Sequence, residues 1–93
     1  MSTALFPLGR CGITPGAQTK LESIAADPIV LLARHQSGDW QDMSKDDQAA
    51  NQEAIEHGTR VFSAYKLTDA KIRIWVITEA DRSSTTILLP DEY

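Results

Sequence analysis

The last third of the chain contains Arg60-Val-Phe-Ser-Ala-Tyr-Lys-Leu67, Ile72-Arg-Ile-Trp-Val-Ile-Thr-Glu79 and Ser84-Thr-Thr-Ile-Leu-Leu-Pro90. Most of these residues are β-branched or aromatic, the types that favour strands. The polar gaps at residues 68–71 and 80–83 have the length of hairpin loops. The three segments therefore predict an antiparallel meander against which the rest of the chain must pack.

Ahead of this meander, residues that start and stop helices predict three helices. The first covers residues 15–25, the second begins at Pro28, and the third ends at His57. Their capping residues are Thr14, Asp27 and Ser44, and the stop residues of the second and third helix are Gly38 and Gly58. A short edge strand is expected within residues 5–13. The predicted fold is α+β, with a short N-terminal strand, three helices and a C-terminal three-stranded antiparallel meander packed against the helices.

Length and composition limit what the protein is expected to be. Its 93 residues predict a single domain, residues 1–93, because a chain this short supports one core and no separate cofactor-binding unit. A hydrophobic content of 42% is that of an ordinary globular protein. Cys11 is the only cysteine, which excludes an intramolecular disulfide. Because the sequence has no apolar run of membrane length, we expect a cytoplasmic protein with no membrane association.

Charge is distributed unevenly along the chain. The net charge is −4, but residues 39–56 carry six acidic side chains and one lysine, a local charge of −5. Residues 57–82 carry five basic and three acidic side chains, a local charge of +2. We therefore expect an acidic helical flank beside a mildly basic sheet. Direct nucleic-acid binding is not expected, because it depends on many contacts from Lys and Arg to phosphates.

The acidic flank is the predicted partner-binding surface. Its candidate residues are Asp39, Trp40, Asp42, Asp46, Asp47 and Glu53. The carboxylates would attract a protein partner with a basic surface, and an aromatic side chain in a connector could anchor such an interface. For Trp40, a position in the protein core is as strong an interpretation as that of an interface anchor.

No local signature of catalysis is present, so the leading interpretation is non-enzymatic. His35 and His57 fall in the last turns of predicted helices, where the helix dipole favours a positive side chain, and neither matches a nucleophile motif. No metal-ligand spacing and no glycine-rich phosphate loop occur in the sequence. Neither a metal nor another cofactor is expected.

A small ribonuclease is the alternative. Its candidate catalytic residues are His57, Arg60, Arg82 and Thr85, which cluster at predicted strand ends. In such an enzyme a base takes the proton of a 2′-hydroxyl, and arginines stabilise the phosphorane charge. In outline, helices followed by an antiparallel sheet resemble the RelE-like toxins of toxin–antitoxin pairs. For Arg82 a structural role is favoured over a catalytic one, because this arginine is expected to pair with Asp81 or Glu79 across its turn.

A set of distinctive stretches spans nearly the whole chain from Leu8 onward. They are Leu8-Gly-Arg10, Thr14-Pro-Gly-Ala17, Leu31-Leu-Ala-Arg-His35, Gly38-Asp-Trp40, Asp47 with Asn51, Ser63-Ala-Tyr65, Ile74-Trp-Val-Ile-Thr-Glu-Ala-Asp-Arg-Ser83 and Thr85-Thr-Ile-Leu-Leu-Pro90. Together they resemble a family of small uncharacterised proteins of bacterial plasmids and other mobile elements. That family has no established activity. Its occasional description as a restriction-system subunit does not suit a chain too short for a methyltransferase fold.

The resemblance implies a bacterial cytoplasm and a mobile-element setting. Small acidic proteins in that setting often inhibit host defence, such as CRISPR or restriction complexes, with carboxylates that imitate nucleic-acid phosphates. The leading hypothesis is therefore a non-enzymatic binding or inhibitor protein that acts through its acidic surface. A homodimer that pairs edge strands of the sheet is a third hypothesis.

Overall fold

A computed structural model describes residues 4–69 and 71–93. Its elements, in chain order, are β1 (Arg10–Ile13), α1 (Pro15–Ser23), α2 (Pro28–Ser37), α3 (Lys45–His57), β2 (Val61–Leu67), β3 (Ile72–Thr78), β4 (Ser84–Leu88) and a 3-10 turn (Pro90–Glu92). The predicted α+β class with three helices is confirmed. Within the described ranges, none of the helices has the length and apolar character needed to cross a membrane.

The sheet has four strands, in the order β1-β4-β3-β2. β2, β3 and β4 pair antiparallel, with Val76 of β3 opposite Ser63 on one side and Ile87 on the other. β1 joins β4 in parallel and places Ile13 opposite Ile87. The prediction of a three-stranded, purely antiparallel sheet is therefore wrong, because the sheet is mixed. A parallel pair needs a long crossover connection, and here the helices, β2 and β3 all lie between the two strands in the chain.

β1 is shorter than the strand expected within residues 5–13, because the backbone turns at Gly9. The φ angle of Gly9 is +67°, and a Cβ atom there would lie 2.4 Å from the carbonyl oxygen of Arg82. Only glycine lets the N-terminal segment approach the β3–β4 loop this closely. The Arg10 amide then donates to the Ser83 carbonyl at 3.0 Å, which begins the pairing with β4.

The helix ends follow the predicted caps. The side chains of the capping residues accept main-chain amides at 2.9 to 3.2 Å, Thr14 from Ala17, Asp27 from Ile29 and Ser44 from Asp47. α2 and α3 stop at Gly38 and Gly58, whose φ angles are +82° and +70°. α1 ends at Ser23, earlier than predicted.

The three helices cover one face of the sheet. Along β2, Val61, Ser63 and Tyr65 are fully buried, whereas the alternate residues are half-buried or exposed. The main core cluster consists of Ala17, Leu21, Leu31, Tyr65, Ile74, Val76 and Ile87. A smaller cluster consists of Phe6, Trp40, Ala54 and Val61. Strand side chains alternate between the two faces of a sheet, so Val61 of the smaller cluster and Tyr65 of the main cluster lie on the same face. Phe62 and Trp75 lie on the opposite face.

Candidate functional site

Arg82, one of the candidate catalytic residues, holds several segments of the protein together. Its guanidinium donates to four main-chain carbonyls at 2.7 to 3.2 Å, those of Ala54, Thr59, Glu79 and Ala80. It also lies 5.6 Å from the centre of the Phe6 ring. The Arg82 side chain thus joins the C-terminal turn of α3 to the β3–β4 loop. It binds the carbonyl of Glu79 and not the expected carboxylate of Glu79 or Asp81.

The other candidates of the ribonuclease hypothesis have different surroundings. Thr85 is fully buried and donates to the Leu8 carbonyl at 2.7 Å. Arg60 is exposed, donates to the Tyr93 hydroxyl at 2.6 Å and lies 3.4 Å from the Glu79 carboxylate. His57 is exposed at the end of α3. A substrate would therefore reach His57 and Arg60, but it could not reach Thr85.

Two carboxylates of the predicted partner surface face an arginine of the same molecule. The Nε of Arg34 donates to Asp39 at 2.8 Å, and its Nη2 lies 3.8 Å from Asp42. Asp42 also accepts the main-chain amide of Lys66 at 3.1 Å. The guanidinium of Arg34 lies 4.4 Å above the ring of Tyr65. Asp39 and Asp42 are therefore engaged in joining the connector after α2 to the body of the protein.

Trp40 lies in the core. Only 6% of its surface is exposed, and the side chain packs in the cluster of Phe6, Ala54 and Val61. Burial of an indole removes a large apolar area from water and stabilises the fold. The structure therefore favours the packing interpretation of Trp40 over that of an interface anchor.

The remaining candidates, Asp46, Asp47 and Glu53, are exposed on α3. The helical period places Asp46 and Glu53 on one outward stripe, away from the buried Ala54. Within residues 4–69 and 71–93, none of the three carboxylates forms an ion pair. This set, which we call the α3 acidic surface, presents its charge to solvent on one helix.

A buried polar cluster, which the sequence did not predict, joins α2 to the sheet. His35 is fully buried, with its Nδ1 2.5 Å from Ser63 Oγ and its Nε2 2.8 Å from Thr78 Oγ1. Thr78 Oγ1 lies 2.7 Å from Thr85 Oγ1, and Thr85 donates to the Leu8 carbonyl. These groups form one continuous series of hydrogen bonds, which we call the His35 chain.

The His35 chain ends at the carbonyl of Leu8, and this carbonyl fixes the direction of every hydrogen bond in the chain. The Leu8 oxygen can only accept, so Thr85 donates to it and Thr78 must donate to Thr85. Thr78 therefore accepts from the Nε2–H of His35. In a neutral imidazole Nδ1 is then the acceptor, and Ser63 donates to it. In this arrangement every donor of the His35 chain has an acceptor within it.

The surroundings keep this imidazole uncharged. Burial lowers the pKa of His35 from 6.5 to about 4, and the positive charge of Arg82 acts in the same direction. The prediction of a positive side chain that serves the α2 dipole is therefore wrong for His35, whose ring points into the sheet. Ser63 and His35 have the spacing of a nucleophile and its base, but both are sealed from solvent. Their role is structural.

The two edges of the sheet differ. At the β2 edge, the Asn51 side chain accepts the amide of Phe62 at 3.0 Å and donates to its carbonyl at 2.6 Å. Two residues beyond Ala64 on the same edge, the amide of Lys66 donates to the carboxylate of Asp42. Side chains that occupy edge groups in this way prevent pairing with another strand. These contacts oppose strand pairing at two positions of the β2 edge.

In the part of the chain that the structure describes, no three His, Cys, Asp or Glu side chains are grouped so that they could hold a metal ion. Comparison with known proteins gave no match, whether to a protein-family model, to a curated protein or to a solved structure. Function is therefore inferred from the side chains themselves.

Proposed function

We propose that the protein is a non-enzymatic binding protein whose α3 acidic surface captures a partner protein with a basic surface. The observation that carries the proposal is the exposure of Asp46, Asp47 and Glu53, which have no cation partner among the described residues. α3 packs against β2 through Ala54 and Val61, so the core of the protein holds the helix that carries these charges. Preorganised charge steers a complementary partner and opposes partners of like charge.

The proposed surface is smaller than the acidic segment of residues 39–56. Asp39 and Asp42 bind Arg34, and Trp40 is buried, so these three support the fold. A partner would meet the carboxylates of α3 without having to break those contacts. The mobile-element setting, and a CRISPR or restriction complex as the partner, rest on the sequence resemblance alone.

Affinity capture from a bacterial extract tests the proposal with two variants of equal net charge. The α3 variant carries Asp46→Asn, Asp47→Asn and Glu53→Gln. The control variant carries Glu22→Gln, Asp69→Asn and Asp91→Asn, which are exposed positions outside α3. We expect a protein that is retained by the wild type and by the control variant, is lost with the α3 variant, and is released by added salt. Identical sets of captured proteins would contradict the proposal.

A further inference from the structure

An open cleft of about 290 Å³ lies where β3 begins and β4 has ended. Three cationic side chains line it, Lys20 from α1, Lys71 from the turn before β3 and Arg73 from β3 itself. Its apolar part is formed by Ile72, Leu89 and Pro90. Lys20 is far from the other two cations in the sequence, so the fold itself brings the positive charges together.

A fourth cation stands beside the cleft. The register of β2 and β3 places Lys66 directly opposite Arg73. Residues directly opposite on antiparallel strands have Cβ atoms about 5 Å apart, and like charges in this position destabilise the pairing. In the described ranges, none of Lys20, Lys66, Lys71 and Arg73 forms an ion pair. An anion held between Lys66 and Arg73 would relieve their repulsion.

Carboxylates near the cleft leave an excess of positive charge. Asp91 lines the cleft, and Asp69 lies in the adjoining turn between β2 and β3. The four cations outnumber these two carboxylates, and a third carboxylate nearby, that of Asp42, is paired with Arg34, on a protein whose net charge is −4. A concentration of positive charge against the sign of the whole molecule favours an anionic ligand at this place.

The types of side chain indicate which anion fits. The planar guanidinium of Arg73 can donate to two oxygens of a phosphate, and the ammonium groups of Lys20 and Lys71 add charge without a fixed direction. The apolar wall of Ile72, Leu89 and Pro90 suits a ligand with an organic part. We propose that this cleft binds the phosphate group of a small organic phosphate, with Arg73 and Lys71 as principal contacts. This site is independent of the α3 acidic surface.

An NMR titration of the folded protein tests the cleft with two probes, inorganic phosphate and a nucleoside monophosphate, each compared with chloride at equal ionic strength. Trp75 provides a second readout by fluorescence, because it lies two residues after Arg73 on the same face of β3. The variants are Arg73→Gln and Lys71→Gln. Lys45→Gln, at an exposed lysine on α3, is the control with the same change of charge. All three positions are exposed, so the variants should fold.

We expect both probes to shift the amide signals around the cleft, and the nucleoside monophosphate to bind more tightly because its organic part contacts the apolar wall. Arg73→Gln should weaken binding at least about tenfold, the effect of one charge-assisted hydrogen bond, whereas Lys45→Gln should not. Binding of the nucleotide alone, weakened by Arg73→Gln, would support a site for organic phosphates. Shifts no larger than those with chloride, equal effects of the three variants, or equal affinities for inorganic phosphate and the nucleoside monophosphate would each overturn the proposal.

Discussion

The Nε2 of His35 lies 2.8 Å from the Oγ1 of Thr78, and this contact hydrogen-bonds the last turns of α2 to the end of β3. Both groups are fully buried, so each would carry a large desolvation cost without the other. The contact requires a neutral ring with its proton on Nε2. The stability of the protein should therefore depend on the protonation of one buried side chain.

Stability should fall as the pH is lowered through the range in which the unfolded chain binds a proton at His35 and the native protein does not. The native pKa is about 4 and the ordinary value is 6.5, so the unfolded state takes up the proton first. The free energy of unfolding should decrease by about 2 kcal/mol between about pH 7 and about pH 5 from this group alone. Urea unfolding at the two pH values measures the decrease.

Two variants separate this effect from that of other groups. His35→Gln should be less stable at neutral pH and should lose most of the pH dependence in this range. His57→Gln removes the other, exposed histidine and should keep the wild-type dependence. A wild-type stability that does not change over this range would contradict the lowered pKa of His35, and an NMR spectrum with the proton on Nδ1 would show that the hydrogen-bond order is wrong.

Gly9→Ala should destabilise the protein strongly, because the added Cβ would meet main-chain atoms of Arg82 and Ser83 at 2.4 to 2.6 Å. The residue also has a φ of +67°, so the loss should exceed about 2 kcal/mol in the free energy of unfolding. Gly12→Ala, in β1, is the matched control, since nothing lies within 4 Å of its added Cβ. Similar losses in the two variants would mean that the N-terminal segment does not approach the β3–β4 loop as described.

Asp39→Asn should destabilise the fold more than the removal of a negative charge from an exposed side chain of α3. Its carboxylate binds the half-buried guanidinium of Arg34 at 2.8 Å, and loss of a partly exposed pair of this kind costs about 1 kcal/mol. Glu53→Gln changes the same charge at an exposed site and should stay within about 0.5 kcal/mol of the wild type. Thermal unfolding measures the stability of the Asp39→Asn and Glu53→Gln variants. Equal stabilities would contradict the conclusion that Asp39 supports the fold and Glu53 does not.

Expression of the protein in a growing bacterial culture should leave growth unchanged. Thr85 is buried and the Arg82 donors are bound to carbonyls, so the candidate ribonuclease groups are not jointly accessible. Growth curves with and without induction measure this. An arrest of growth that is relieved by His57→Ala together with Arg60→Ala would restore the ribonuclease hypothesis.

Features that depend on neighbours in the chain could be predicted from the sequence. The caps at Thr14, Asp27 and Ser44, and the left-handed stops at Gly38 and Gly58, involve contacts within a few residues. The β2–β3 and β3–β4 hairpins were predictable for the same reason. In contrast, the parallel pairing of β1 with β4 joins segments separated by most of the chain, and no local pattern indicates it.

The roles of individual polar residues were harder to predict, because they depend on tertiary contacts. Nothing local indicates that Asp39 binds Arg34 and that Glu53 remains free. One signal for the His35 chain was present: Ser63 and Thr78 alternate with apolar residues on the inward faces of their strands, and His35 follows Leu31 by one helical turn. Hydroxyl groups that face a core need a polar partner, and a histidine on the buried stripe of a helix supplies one.

The affinity of the captured partner for the wild type and for the α3 variant, measured by calorimetry at low and at physiological salt, tests the central claim most directly. If the carboxylates of Asp46, Asp47 and Glu53 hold the partner, the α3 variant should bind at least about tenfold more weakly and with a smaller dependence on salt, while the control variant of equal charge binds like the wild type. Equal affinities and equal salt dependence for all three proteins would contradict the assignment of binding to α3.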